Sequence, residues 1–192
     1  MLACTVLIAA TMILRPARAQ SEDELVALDQ RVIALYSVGK YAEAIPLAEQ
    51  YAGAVRTRAG ENDPNYDTAL NNLAELLRLA NRLNEAEPLM RRALAIDEEI
   101  FGSEHPNVAV QLSNLGLILE GQQQHANAEP LLRRALAIYE KTLCGGHQQV
   151  ATTLDALISL LQATDRLADA EPLLRRALAI DEQFLGTSRR QS

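Results

Sequence analysis

Apolar residues recur at spacings of three and four along most of the chain, which is the pattern of amphipathic helices. One such run holds Ala69, Leu70, Leu73, Ala74, Leu76, Leu77 and Ala80. A polar turn follows at residues 81–84, and a second apolar stripe runs from Ala86 to Ile100. Gly102 then provides a residue that accepts the left-handed conformation found at helix ends, and Pro106 suits the first turn of another helix. This stretch therefore predicts two helices joined by a short turn.

The pair of helices recurs every 42 residues. Residues 86–96 read AEPLMRRALAI, while residues 128–138 and 170–180 both read AEPLLRRALAI. A decayed copy at residues 44–48 extends the series one period earlier. Because one pair of helices cannot bury its apolar stripe alone, successive pairs must stack on each other. We expect pairs over residues 22–59, 64–101, 106–143 and 148–185, with eight helices of about 14–18 residues each.

Two segments of the repeat resemble a known family. Residues 70–74, Leu-Asn-Asn-Leu-Ala, and the alanines Ala86 and Ala93 resemble the two helices of the tetratricopeptide repeat. The period and the linker at residues 101–109 are similar to the kinesin-light-chain type, which bacterial proteins also contain. The resemblance covers about residues 22–187 and implies an all-α fold, a right-handed α-solenoid of four tetratricopeptide-like helix pairs.

Three places depart from this pattern. The first turn, at residues 36–41, is expected to be one residue short before Gly39. Residues 144–148, Cys-Gly-Gly-His-Gln, replace the Gly-x-x-His-Pro linker, and the two glycines are expected to loosen that joint. No capping helix follows residues 186–190, where the next pair would begin. The last helix is therefore expected to be an exposed end, which offers a surface for forming a homo-oligomer.

The first nineteen residues differ from the repeats. An apolar run from Leu2 to Leu14 is followed by Arg-Pro and by the small-x-small triplet at residues 17–19, directly before Gln20. The run has the length of the core of a secretory leader and is too short to span a bilayer, although no Lys or Arg precedes it. The pattern predicts a signal peptide over residues 1–19 and a repeat array over residues 20–192. It also predicts a secreted or periplasmic location, with no stable membrane span after cleavage.

Composition narrows the classes of partner and of chemistry. The chain has 18 basic and 25 acidic residues, a net charge of −7, and no Trp, which argues against nucleic-acid binding. Only Cys144 remains after cleavage, so the fold has no internal disulfide. The sequence lacks a phosphate-binding glycine loop and a nucleophile elbow, and Cys144 with His147 gives only two of the ligands that a metal site needs. We expect no enzymatic activity, no cofactor and no metal.

The family resemblance implies that the first helix of each pair lines a concave face. Polar side chains there suit an extended peptide, because an amide offers both donors and an acceptor to a peptide backbone. The candidate partner-binding residues are Asn71, Asn72, Glu75, Arg78, Ser113, Asn114, Leu117, Asp155 and Ser159. Arg78 is the only basic residue among them, which argues against a carboxylate clamp. The alternative interpretation of this set is an ordinary solvated face.

The arginine pairs at residues 91–92, 133–134 and 175–176 resemble a basic stripe. A glutamate precedes the first arginine of each pair by four residues, which is the favoured order for an ion pair within a helix. We therefore expect these arginines to form a solvated helix face rather than a site for an acidic partner.

These observations lead to the hypothesis of a secreted or periplasmic adaptor, which binds a peptide or protein in its concave groove without catalysis. Two alternatives stay open. The chain could be a self-associating structural module. It could also be the repeat part of a truncated caspase-like protease, because related bacterial arrays often precede such a domain.

Overall fold

The computed structural model describes residues 22–143 and 148–188, except for the side chains of residues 181 and 183–188. Within these residues the chain forms eight α-helices and no strand. In chain order they are α1 (Glu22–Ser37), α2 (Tyr41–Ala59), α3 (Pro64–Leu79), α4 (Leu83–Phe101), α5 (Pro106–Gly121), α6 (His125–Thr142), α7 (Gln148–Ala163) and α8 (Leu167–Ser188). The expectation of an all-α repeat solenoid is confirmed. The expected signal peptide at residues 1–19 and the linker residues Cys144 and His147 lie outside the described residues.

The arrangement of the helices gives the stack an inner and an outer side. Each helix packs against the next one along the chain, and α5 also touches α3 and α7. In the described part of the chain, the backbones of neighbouring even-numbered helices do not approach each other as closely. The odd-numbered helices therefore lie closer together and form the inner side. We call the surface of α1, α3, α5 and α7 that turns away from the even-numbered helices the inner face.

Small residues let the paired helices approach closely, as the sequence predicts. Ala86 and Ala93 are fully buried on α4, and their equivalents one period later are buried too. Ile96 lies on the same helix, fully buried. One continuous apolar core extends along the stack from Val32 to Ile180. Burial is thus supplied by neighbouring helix pairs rather than by one central core.

The turn within each helix pair is tighter than the sequence suggests. Helix α4 begins at Leu83, inside the predicted turn, and Asn81 takes φ 59° in the middle of the three residues that separate it from α3. Gln123 and Asp165 have φ values of 62° and 57° at the equivalent positions, and Gly39 has 73°. Gly39 lies 42 residues before Asn81, at the equivalent position of the first turn, so the expectation of a shorter first turn is wrong. The early helix starts also lengthen the even-numbered helices: α2, α4 and α8 have 19, 19 and 22 residues, above the expected length, and α6 has 18.

The linkers between pairs use a glycine in a conformation that other residues rarely reach. Gly102 has φ 82° and ψ 160°, so it is extended with a positive φ rather than left-handed helical as expected. Gly60 adopts the same conformation after α2. After this glycine, the Asp63 side chain caps α3 by accepting a hydrogen bond from the backbone N–H of Asn65 at 2.8 Å. The ring of His105 caps α5 in the same way.

Candidate functional site

The 42-residue period places equivalent side chains in rows across the inner face. The rows hold Asp29, Asn71, Ser113 and Asp155; then Ile33, Glu75, Leu117 and Ser159; then Tyr36, Arg78 and Glu120. A further row, containing Asn72 and Asn114, runs beside the first. All nine candidate partner-binding residues therefore belong to one surface, contributed by three of the four odd-numbered helices.

The asparagines at the centre of this surface contact each other. The side-chain Nδ2 of Asn114 donates a hydrogen bond to Oδ1 of Asn71 at 2.9 Å, which links α5 to α3. The bond uses one acceptor and one N–H, and it leaves the Nδ2 hydrogens of Asn71 and the Oδ1 of Asn114 available. Asn72 is exposed beside them. Donors and an acceptor of the kind that a peptide backbone requires thus lie together.

The charged candidates on α3 are already paired. The Arg78 guanidinium donates two hydrogen bonds to the Glu75 carboxylate, each at 2.7 Å, and both side chains are partly buried. The bonds to Glu75 raise the pKa of Arg78, although burial opposes this. The pair neutralises itself, so Arg78 contributes little net positive charge to the inner face.

The remaining candidates also join neighbouring helices. Ser159 on α7 donates a hydrogen bond to the carboxylate of Glu120 on α5 at 2.6 Å. The hydroxyls of Ser113 and Thr153 lie 3.4 Å apart. Leu117 is half-buried between these contacts, while Asp155 is exposed. Much of the predicted polar set therefore holds successive pairs together, as well as facing the groove.

A pocket of about 210 Å³ opens on the inner face where the first two helix pairs meet. Its apolar wall consists of Val32, Ile33, Tyr36 and Leu76, and its polar wall of Asp29, Asn71, Asn72, Glu75 and Asn114. Ile33 is 58% exposed and Tyr36 is 46% exposed, so the pocket presents apolar surface to solvent. The Tyr36 ring is held edge-on against Tyr41, with ring centres 5.8 Å apart. Apolar and amide groups therefore converge at one opening.

Sequence reasoning missed the contribution of the first helix pair. Asp29, Ile33 and Tyr36 lie one period before Asn71, Glu75 and Arg78, so shifting the candidates by 42 residues identifies them. A second opening of about 310 Å³ lies between α5, α6 and α7, with Leu117 and Ser113 in its wall. Four of the nine predicted residues line the first pocket, and three line the second.

A different polar cluster is buried where the second and third helix pairs meet. The Nε2 of Gln111 on α5 lies 3.1 Å from both carboxylate oxygens of Asp67 on α3 and 3.1 Å from Oδ2 of Asp97 on α4. All three side chains are buried. Within the described residues, Oδ1 of Asp97 and Oε1 of Gln111 have no hydrogen-bond partner. Two acids thus share one amide donor away from water.

Burial gives these two acids unusual proton affinities. It is the main cause that raises the pKa of Asp67 to about 7, and the nearby charge of Asp97 raises it further. Burial also raises the pKa of Asp97, against the lowering effects of Gln111, Asp67 and His105. The pair therefore takes up a shared proton at a higher pH than exposed carboxyl groups do. The cluster is a joint between repeats and does not open on the inner face.

The two arginines of each pair make different contacts. The first forms an ion pair within its own helix, so the prediction of ion pairs within the helices is confirmed. Arg133 bonds Glu129 at 2.8 Å within α6, and the pairs at residues 87–91 and 171–175 are equivalent. The second arginine of the pair points elsewhere: Arg134 contacts Glu98 on α4 at 2.7 Å. The second arginines therefore bridge neighbouring repeats, which the sequence analysis did not anticipate.

The described residues contain no group of three or more His, Cys, Asp or Glu side chains placed to hold a metal ion. None of the helices in this part of the chain is both long enough and apolar enough to cross a membrane.

The stacked helical hairpins with a polar inner face define a helical-repeat scaffold. The family profile described as "Tetratricopeptide repeat" matches residues 23–99, 65–141 and 107–183, and the chain belongs to this family. No curated protein matches the chain significantly.

Solved structures show the same fold at low sequence identity. BtubC from P. vanneervenii is 22% identical, with a TM-score of 0.77 over 88% of this chain and 68% of that one. A putative kinesin light chain from Podospora anserina is 23% identical, with a TM-score of 0.71 over 88% and 80%. MamA from Desulfovibrio magneticus is 16% identical, with a TM-score of 0.63 over 84% and 78%. The kinesin-light-chain-like resemblance seen in the sequence is confirmed for the fold.

Proposed function

We propose that this chain is a non-catalytic adaptor that holds a peptide or protein segment on its inner face. The observation that supports this most is the pocket between α1 and α3. There, an apolar wall in which Ile33 and Tyr36 are exposed lies beside amide groups that still have hydrogen-bonding capacity. Tetratricopeptide repeats typically mediate contacts between proteins, and the described residues are almost entirely spent on such repeats.

Photo-crosslinking tests where the partner sits. A photoreactive amino acid replaces Asn72, which is exposed beside the pocket, and in a matched variant it replaces Ala137, which is exposed on α6 at the outer side. We expect covalent adducts from position 72 and none from position 137. Equal adducts from both positions would exclude the inner face as the binding site. Loss of the position-72 adduct in Asn71→Ala/Asn114→Ala would connect it to the amide pair.

We further propose that the adaptor works outside the cytoplasm. The support is the sequence of residues 1–19, which has the apolar run and the cleavage triplet of an exported protein. Cell fractionation with mass measurement tests this. We expect the protein in the periplasm or the medium, beginning at Gln20. Full-length protein confined to the cytoplasm would contradict the proposal.

Self-association is the alternative that one observation favours. Leu174 and Leu178 on α8 are 44% and 54% exposed, and they face away from the rest of the stack. A second copy covering them would produce a dimer. Light scattering over a range of concentrations distinguishes the two functions, because an adaptor without self-association stays monomeric.

A further inference from the structure

Charge is unevenly distributed between the two layers of helices. Four acids lie in the rows of the inner face: Asp29, Glu75, Glu120 and Asp155. The odd-numbered helices carry two bases, Arg31 and Arg78, and of these only Arg78 lies in the rows. Arg78 is neutralised by Glu75, and the other arginines and lysines of the described residues lie on the even-numbered helices or in turns. The inner face is therefore negative, and it attracts cationic partners.

The pocket between α1 and α3 combines this charge with an apolar surface. Asp29 lies in its wall and makes no ion pair within the described residues. Ile33 and Tyr36 lie one and two helical turns further along α1 than Asp29. Along this helix, one end of the pocket is therefore acidic and the other end is apolar. A ligand that fits this order needs an apolar group next to a positive charge.

We propose that the inner face recognises an extended peptide in which one large aliphatic side chain is flanked by lysine or arginine. The aliphatic side chain occupies the pocket against Ile33 and Tyr36, and the flanking cation lies against Asp29. The peptide backbone bonds the Asn71 and Asn114 amides. This inference rests on the proposed adaptor function and adds the chemistry of the partner.

Labelled peptides test the chemistry directly. Three short probes share a glycine-serine frame and differ in the centre: Lys-Leu-Lys, Lys-Ala-Lys and Glu-Leu-Glu. Fluorescence anisotropy with the full chain measures their affinities. We expect the Lys-Leu-Lys probe to bind at least about tenfold more tightly than either of the others, because each substitution removes the apolar or the charged contact. Raising the ionic strength should lower the affinity for the Lys-Leu-Lys probe, because dissolved ions screen the attraction between its lysines and the inner face.

Substitutions at residues that line the pocket locate the binding. Ile33→Ser and Asp29→Asn should each lower the affinity for the Lys-Leu-Lys probe about five- to tenfold. The matched controls lie on or just after the same helix but outside the pocket: Val38→Ser is exposed like Ile33, and Asp23→Asn removes the same charge. They should leave the affinity unchanged. Circular dichroism checks that every variant keeps its helix content.

The outcomes separate this inference from the adaptor function. Tighter binding of the Glu-Leu-Glu probe, or no binding by any probe, overturns the proposed chemistry. If position 72 still captures a partner by crosslinking in that case, the inner face remains a binding surface for a different ligand. The inference is also overturned if the affinity for the Lys-Leu-Lys probe is unchanged in the pocket variants but falls in the control variants.

Discussion

The N-terminal and C-terminal ends of the described helical stack expose different side chains. At the N-terminal end, α1 has Arg31 and Ala34 on the surface that would face a preceding repeat, and both are exposed. The equivalent residues of α3 are Leu73 and Leu76, which are buried against α2. The first helix thus has a charge and a small residue where the interior helices have leucines.

At the C-terminal end the interior sequence is kept. Leu174 and Leu178 on α8 are about half exposed, whereas their equivalents on α6, Leu132 and Leu136, are buried. The two helices share an identical stretch of eleven residues, at 128–138 and 170–180. Identical residues therefore differ in burial because, in the described part of the chain, only the first copy has a following helix packed against it. In a repeat array the neighbour decides what a leucine contributes to stability.

Matched alanine substitutions sharpen this comparison and should give the largest effect. Leu132→Ala removes a fully buried side chain and should lower the free energy of unfolding by about 2–5 kcal/mol. Leu174→Ala, at the equivalent position, should cost less than about 1 kcal/mol, since that side chain is already half in water. Urea denaturation followed by circular dichroism measures both. Equal losses would mean that another surface covers α8 in solution.

The buried acids at the interior joint predict a dependence of stability on pH. Since the pKa of Asp67 is about 7 in the folded chain and lower when unfolded, unfolding releases a proton between these values. Stability should therefore fall as pH rises from about 4 to about 7. Asp97→Asn removes the second carboxylate and places an amide donor next to Asp67. It should raise stability at about pH 8 by roughly 1–3 kcal/mol and flatten the pH dependence.

Denaturation at a series of pH values checks this expectation. The control is Glu99→Gln, which removes an exposed acid from the same helix. It should leave the pH dependence unchanged. A wild-type chain that grows more stable between about pH 5 and pH 8 would contradict the assignment of a shared proton to Asp67 and Asp97.

The close contact between α5 and α6 should make one glycine sensitive to a single methyl group. A Cβ at Gly116 would lie 2.6 Å from the side chain of Leu132, so Gly116→Ala should destabilise the chain by about 1–2 kcal/mol. Gly53→Ala is the matched control, because nothing lies within 4 Å of its added Cβ. Since Gly53 lies inside a helix, its replacement by alanine should raise the free energy of unfolding by about 0.5–1 kcal/mol. Thermal unfolding of both variants distinguishes the two signs.

The smallest effect on stability is expected at the N-terminal end. Arg31→Leu restores the interior residue at an exposed position, so the free energy of unfolding should change by less than about 0.5 kcal/mol. The variant would present apolar surface at both ends and should associate head to tail more than the wild type. Light scattering at increasing concentration measures this. A variant that stays as monomeric as the wild type would show that Arg31 does not limit association.

The repeat period made the architecture accessible from the sequence. Helix pairs, the buried alanines and the ion pairs within the helices all follow from local spacing, which the chain repeats several times. The turn length was less accessible, although Asn81 and Asp165 are residue types that tolerate the positive φ they adopt in the turns. Gly39 in the first turn could have revealed the register, since it occupies the equivalent position with the residue best suited to a positive φ.

The candidate surface was predictable only in part. The period identifies which residues share the inner face, but it does not say that Asn71 and Asn114 bond to each other or that Glu75 neutralises Arg78. The buried cluster gave even less signal. Asp67 and Gln111 come close because α3 and α5 pack together, and the equivalent positions in later repeats do not hold the same residues.

The inter-repeat arginines have a mechanical consequence. Arg134 ties α6 to Glu98 on α4, and Arg176 ties α8 to Glu140 on α6, so each bond spans one joint on the outer side. Tightening the curl of the stack separates the outer helices and stretches these ties. Dissolved ions weaken them equally. The array should therefore bend more easily at high ionic strength, while its free energy of unfolding changes little.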